Sequence, residues 1–310
     1  MARISDLLQR GPTFSFEFFP PRTDEEKDRL SQTIQDLEPL HPSFVSVTYR
    51  GGRSSRERTT AVVTDIIRSR AITAMPHLVC VAHSRGELEE IVGGFIEAGV
   101  ENLLALGGDP VAEEGPGELR HAAELVELAR ALGGRSIGVA AHPAGHPRSP
   151  DRVSDRRHLA AKMALADFAI TQFFFHVEDY LRLREELADL GLSKPVIPGI
   201  MPILSLASVK RMSELAGYQV PADVVDRLGP LEDDPQEFRR VGIELAGELC
   251  RQLLEAGAPG LHFYTLNFSK ATLEIYRSLE LRAQWGGPRA GRAEHGRQGG
   301  HPPSERETIA

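Results

Sequence analysis

The sequence predicts a single (β/α)8 barrel. Three observations carry that prediction: eight short apolar or β-branched runs separated by segments of helical periodicity, glycines where those helices should stop, and no GxGxxG turn after an early strand. Alternating strands and helices require a parallel sheet. Eight such units in about 270 residues fit a closed barrel better than an open, doubly wound sheet. A chain of 310 residues with 41% hydrophobic content can bury the core this needs.

The strands are expected over 14–18, 43–48, 75–81, 101–106, 136–141, 167–174, 195–200 and 260–265. Helices are expected over 24–38, 57–70, 84–98, 118–132, 152–165, 177–190, 206–216, 235–256 and 269–281. Asp24 before EEKDRL, Ser84 before RGELEEI, and the Ser269 to Thr272 stretch before LEIY supply start signals. Gly99, Gly133, Gly191 and Gly257 supply stops. The longer segment 217–234 reads either as a short extra helix on the catalytic rim or as a packing insertion. From Trp285 the composition turns to Gly, Pro, Arg, His and Ser, so the barrel is assigned to 1–284 and a disordered tail to 285–310.

Lys and Arg total 36 against 44 Asp and Glu, a net charge of -8 with no basic block in the body, which argues against a nucleic-acid partner. Cys80 and Cys250 sit in apolar runs and read as small buried hydrophobes in a reducing compartment. No secretory pattern opens the chain and no stretch of 18 apolar residues occurs, so a soluble, cytoplasmic protein without a membrane partner is expected. No Cys/His/Asp grouping has metal-ligand spacing, so no metal is expected.

Barrel active sites form at the C-terminal ends of the strands. There, FSFEFFPP sets Glu17 among Phe14, Phe16, Phe18 and Phe19. Alternation turns Glu17 away from Phe16 and Phe18, towards the barrel interior or mouth. Desolvation favours its neutral form, which makes it a general acid; the alternative is a buried ion pair with an Arg or Lys. Other strand ends add Thr48 and Tyr49, His77, Gly107 to Asp109, His142 and His146, Gln172, Met201 and Pro202, and Tyr264 with Asn267.

These residues lie in a series of motifs: SFEFFPP at 15–21, FVSVTY at 44–49, RERT at 56–59, PHLVC at 76–80, GGDP at 107–110, ITQFFF at 170–175, PGIMP at 198–202 and LHFYTLN at 261–267. In order and content the series resembles the methylenetetrahydrofolate reductases, over about residues 12–281. The resemblance implies a barrel that binds FAD, takes hydride from NADH or NADPH, and reduces 5,10-methylenetetrahydrofolate to 5-methyltetrahydrofolate. It implies that Glu17 protonates the folate N10, that Asp109 lies close to flavin and pterin, and that Gln172 contacts the pterin, these three being the catalytic set. Thr48, Thr59, His77, Gly108, Asp109, Ala141, His142, His146, Asp155 and Lys162 match FAD-holding positions. Leu206 and Tyr264 join Glu17 and Gln172 beside the substrate. A homo-oligomer is implied as well.

The sequence departs from the family pattern at several points. Gly107 stands where a cation is usual, His142 where an aromatic is usual, Val79 for a Thr, and Leu206 for a stacking Phe. The MALADF loop at 163–168, near Leu165, is one residue short. These changes are expected to fall on the flavin side, with Arg50 or Arg53 as substitute cations. Two further readings therefore stand beside the first: direct hydride transfer from nicotinamide to folate without flavin, and a non-catalytic folate-binding subunit.

Overall fold

The computed structural model describes residues 1–49, 53–70, 72–109 and 117–279, with the side chains of Arg53 and Ser54 excepted. Arg50, the Arg53 side chain and the proposed tail at 285–310 lie outside the described residues. The described chain belongs to one compact unit, Met1–Leu279.

The strands are β1 Thr13–Phe18, β2 Phe44–Val47, β3 Ala74–Val79, β4 Asn102–Leu106, β5 Ser136–Ala141, β6 Phe168–Thr171, β7 Val196–Ile197, β8 Gly199–Ile200 and β9 Gly260–Tyr264. Every recorded pairing is parallel, in the order β7-β6-β5-β4-β3-β2-β1-β9-β8. The expected seventh strand is thus two short pieces, because Pro198 between them has no N–H to give the ladder. Its carbonyl still accepts from His262 N at 3.0 Å. The first piece pairs with β6 and the second with β9, so the two edges of the sheet meet at Pro198 and the barrel closes.

The helices are α1 Ile4–Arg10, α2 Asp24–Leu37, α3 Arg53–Ser69, α4 Arg85–Glu97, α5 Ala122–Ala131, α6 Arg152–Leu165, α7 Val177–Asp189, α8 Leu206–Ala216, α9 Ala222–Leu228, α10 Pro235–Glu255 and α11 Ser269–Ser278. Ser84 caps α4 through a full capping box, as its sequence foretold, while α2 is capped by Thr23 rather than Asp24.

Helix α1 was not expected. It is short, and its N-cap Arg3 makes no side-chain cap bond. Its reason is tertiary: Ile4 is fully buried among Phe44, Met75, Leu104, Phe168, Ile170 and Ile197, side chains that fill the barrel interior. Asn102 fixes it, accepting from Ile4 N at 2.7 Å and donating to Ala2 O at 3.0 Å. Asn102 opens β4, so α1 closes the N-terminal end of the barrel and leaves the other end for chemistry.

Both readings of 217–234 hold in part. Helix α9 forms, and its Val224 and Leu228 pack with Phe173, Met201, Ile203 and Phe238. No residue of α9 lines the cavity described below. No described helix is long and apolar enough to cross a membrane.

Candidate active site

In β1, Phe14 and Phe16 point outwards, where both pack on Tyr276 of α11. Thr13, Ser15 and Glu17 therefore face the barrel interior. The register sets Glu17 level with Ser46 of β2 and Tyr264 of β9. The carboxylate sits at the inner end of a cavity of about 970 Å3, open at the C-terminal end of the barrel.

Its neighbours are imidazoles, not the Arg or Lys of the alternative reading. Glu17 Oε2 lies 3.4 Å from His77 Nε2 and 3.5 Å from His262 Nε2, with the Glu17 side chain only 12% exposed. His262 is fully buried; its Nδ1 is 2.7 Å from Ser15 Oγ and its Nε2 3.3 Å from Ser46 Oγ. Ser15 Oγ also donates to the Leu261 carbonyl at 3.4 Å. The two serines thus hold the ring from both nitrogens and fix its plane against Glu17.

Burial drives His77 down to about 4, against the attraction of Glu17. His77 is thus a neutral ring at physiological pH, and its Nε2, off hydrogen-bond geometry with Glu17, is buried without a partner. Thr48 Oγ1 is buried and unpartnered in the same way. Both residues line the cavity. Burial, with the negative field of Glu17, holds the Tyr264 phenol well above its ordinary pKa, and its hydroxyl donates to Thr171 O.

The opposite wall comes from the loops after β4 and β5 together with α6. Gly108 adopts a φ of +83°, and a Cβ there would meet Val81 Cγ2 at 2.5 Å, so the turn that presents Asp109 demands glycine. His142 and His146 stack edge to face at 4.6 Å. Burial, then the His146 charge, lowers His142 to about 3. His146 Nδ1 accepts from Arg148 N at 3.1 Å, which puts the proton of the neutral ring on Nε2. Asp155 pairs with buried Arg156 and accepts from His146 N at 3.0 Å. Arg156 also donates to the carbonyls of His142 and Pro143, so this pair fixes the whole β5 loop. Lys162 Nζ donates to Ala140 O at 2.6 Å, and burial brings it down to about 8.

Glu17, Thr48, His77, Gly108, Asp109, Ala141, His142, His146, Asp155, Lys162, Gln172 and Tyr264 are thereby brought to one cavity. Thr59 and Leu206 are not. The Thr59 hydroxyl is turned to the carbonyls of Thr48 and Ser55, so it braces Thr48 from behind. Leu206 is 3% exposed in the apolar cluster behind the barrel wall; the lip of the cavity is instead formed by Met212, Leu215 and Ala216 of α8. The shortened 163–168 loop, expected on the flavin side, joins α6 to the start of β6, at the end opposite the cavity. Val79 does not line the cavity either. Of the departures only Gly107 and His142 do.

Asn267 is structural, its amide bonding both N and O of Phe19. Tyr49 is buried, its hydroxyl 2.5 Å from His83 Nε2. Sequence reasoning missed His262, although strand alternation puts it on the same face as Tyr264.

Fold and site together define a barrel enzyme with one carboxylic acid at the floor of a cavity large enough for more than one ring system. The chain matches the family model described as methylenetetrahydrofolate reductase over residues 3–280. It is 36% identical over 276 residues to the 5,10-methylenetetrahydrofolate reductase of Pectobacterium carotovorum subsp. carotovorum, covering 89% of this chain and 92% of that protein. It is 35% identical over 269 residues to the Escherichia coli (strain K12) protein of the same name, covering 86% and 90%. Among solved structures, an uncharacterized Clostridium thermocellum protein described as binding two copies of 5-methyl-5,6,7,8-tetrahydrofolic acid superposes with a TM-score of 0.63 at 13% identity, covering 91% of this chain and 99% of that one. That last likeness is one of fold. The chain belongs to the methylenetetrahydrofolate reductase family, and is an enzyme of that kind.

Proposed function

We propose that the chain reduces 5,10-methylenetetrahydrofolate to 5-methyltetrahydrofolate with hydride from NADH or NADPH, carried by FAD bound in the same cavity. The observation that carries this reading is Glu17, a lone acid at the cavity floor backed by the Ser15–His262 pair. Two features of the cavity fit a flavin: the buried, unpartnered Thr48 Oγ1 and His77 Nε2, and a volume of about 970 Å3. When bound, FAD supplies a two-electron carrier between nicotinamide and folate. Thr48 and His77 would hold its ring side, and His146, Asp155 and Lys162 its ribityl and diphosphate side.

The chain's own residues then act as follows. Glu17 donates a proton to the folate N10; the bond from N10 to the bridging methylene breaks, leaving an N5 iminium whose methylene carbon accepts hydride. His262, oriented by Ser15, packs against the Glu17 carboxyl and keeps it aimed into the cavity. Gln172 would offer its amide to the pterin, and Asp109 would lie close to pterin and flavin. Tyr264 stays protonated and fixes the wall beside Glu17. Two buried free cysteines accord with a cytoplasmic site of action.

One observation favours a second reading, direct transfer from nicotinamide to folate. Asp155 and Lys162, expected to hold the flavin, are bonded to Arg156 and to Ala140 O. A visible spectrum of the purified protein, with NADH and NADPH oxidation assayed with and without added FAD, separates the readings. A flavin band and FAD-stimulated turnover are expected. Undiminished turnover without flavin overturns the FAD reading, and no turnover in either case points to a folate-binding subunit.

A further inference from the structure

Across one end of the cavity a guanidinium joins the loops after β4 and β5. Arg148, exposed in the loop that follows β5, donates from Nη2 to the Gly108 carbonyl at 2.9 Å. An arginine offers five N–H donors in a rigid planar fork. Among the described residues that bond is the one its guanidinium makes, so most of the fork is left for a ligand.

The surroundings suit an anion. Lys162 and His146 line the same end of the cavity, and after burial the Arg148 charge is the strongest influence holding His146 below its ordinary pKa. Beside the carboxylates of Asp109 and Asp155, two cations, Lys162 and Arg148, stand at this end of the cavity. They are not equivalent. Lys162 is half-buried and gives a short bond to Ala140 O, whereas Arg148 is exposed at the mouth and held in place by its tether. Arg120 also lines the cavity, but among the described residues its guanidinium has no tether to fix it.

We propose that Arg148 is the phosphate anchor of the cavity, taking the diphosphate of a bound dinucleotide on the donors its tether leaves free. This rests on the reading above that a dinucleotide enters the cavity. The tether settles the side chain beforehand, so little rotamer freedom is lost when the phosphate arrives. It also explains how the site grips a diphosphate with Gly107 contributing no side chain. FAD and NAD(P)H both carry a diphosphate, and the test separates them.

Kd values for FAD, for NADH and for riboflavin, a flavin without phosphate, are measured by fluorescence titration on the wild type, Arg148→Ala and Arg148→Lys. Arg148→Ala is expected to weaken the anchored dinucleotide about ten- to hundredfold, the range of a charge-assisted contact. Riboflavin binding and Tm should not move, Arg148→Lys should fall between, and added salt should shrink the difference. Weakening of FAD assigns the anchor to the flavin. Weakening of NADH alone assigns it to the nicotinamide nucleotide. Whether the wild type binds FAD at all judges the flavin reading separately. Dinucleotide affinities equal to wild type in Arg148→Ala overturn the anchor, as does equal loss of riboflavin, or a wild type that binds neither dinucleotide.

Discussion

Replacing His77 with Gln should flatten the acid end of the protein's stability profile. His77 is 6% exposed, and burial sets its folded pKa at about 4 against an ordinary 6.5. Between those values the unfolded chain binds a proton there that the folded chain does not. The folded state therefore has its full stability above 6.5 and loses it as pH falls towards 4. At pH about 4.5 the loss from this one ring amounts to about 2.5 kcal/mol, most of the value of the whole shift. Urea unfolding of wild type and His77→Gln, each at pH about 7.5 and 4.5, measures it. The wild type should lose more stability than the variant over this interval, by about 2.5 kcal/mol. Parallel losses would refute the claim that His77 is buried as a neutral ring beside Glu17, and with it the electrostatics assigned to the cavity floor.

Arg156→Met should cost about 3–5 kcal/mol in chemical denaturation, because Asp155 is left buried without its cation and the β5 loop loses two carbonyl ties. An unchanged midpoint would show that the loop is held by something else. Ile4→Ala should cost about 2–5 kcal/mol while leaving nicotinamide and folate affinities unaltered, since the residue fills the end of the barrel opposite the cavity. A large change in either affinity would show that the two ends are coupled.

Much of this was legible because barrel geometry converts strand position into placement. Eight apolar runs gave the strands, and alternation alone turned Glu17 inward from a row of phenylalanines. The same alternation applied to LHFYTLN would have found His262 two residues before Tyr264. Motifs did not convey cavity position where a residue's partner lies outside the motif. Thr59 bonds a neighbouring carbonyl, Leu206 is taken by the α8–α10 cluster, and the shortened loop falls at the wrong end of the barrel. Helix α1, the Arg156 tie and the Arg148 tether have no local signal, because each depends on an element far along the chain.

In the proposed reaction Glu17 is the proton donor. Glu17→Gln keeps the shape and hydrogen-bonding capacity of the side chain and removes only its acidity. Rapid-mixing measurements of the two half-reactions proposed above, nicotinamide to FAD and reduced FAD to 5,10-methylenetetrahydrofolate, test that role directly. Folate reduction should fall by about 10²–10⁴, the usual worth of a positioned general acid, with flavin reduction close to wild type. Folate reduction that persists at the wild-type rate, or an equal fall in both half-reactions, would contradict the account.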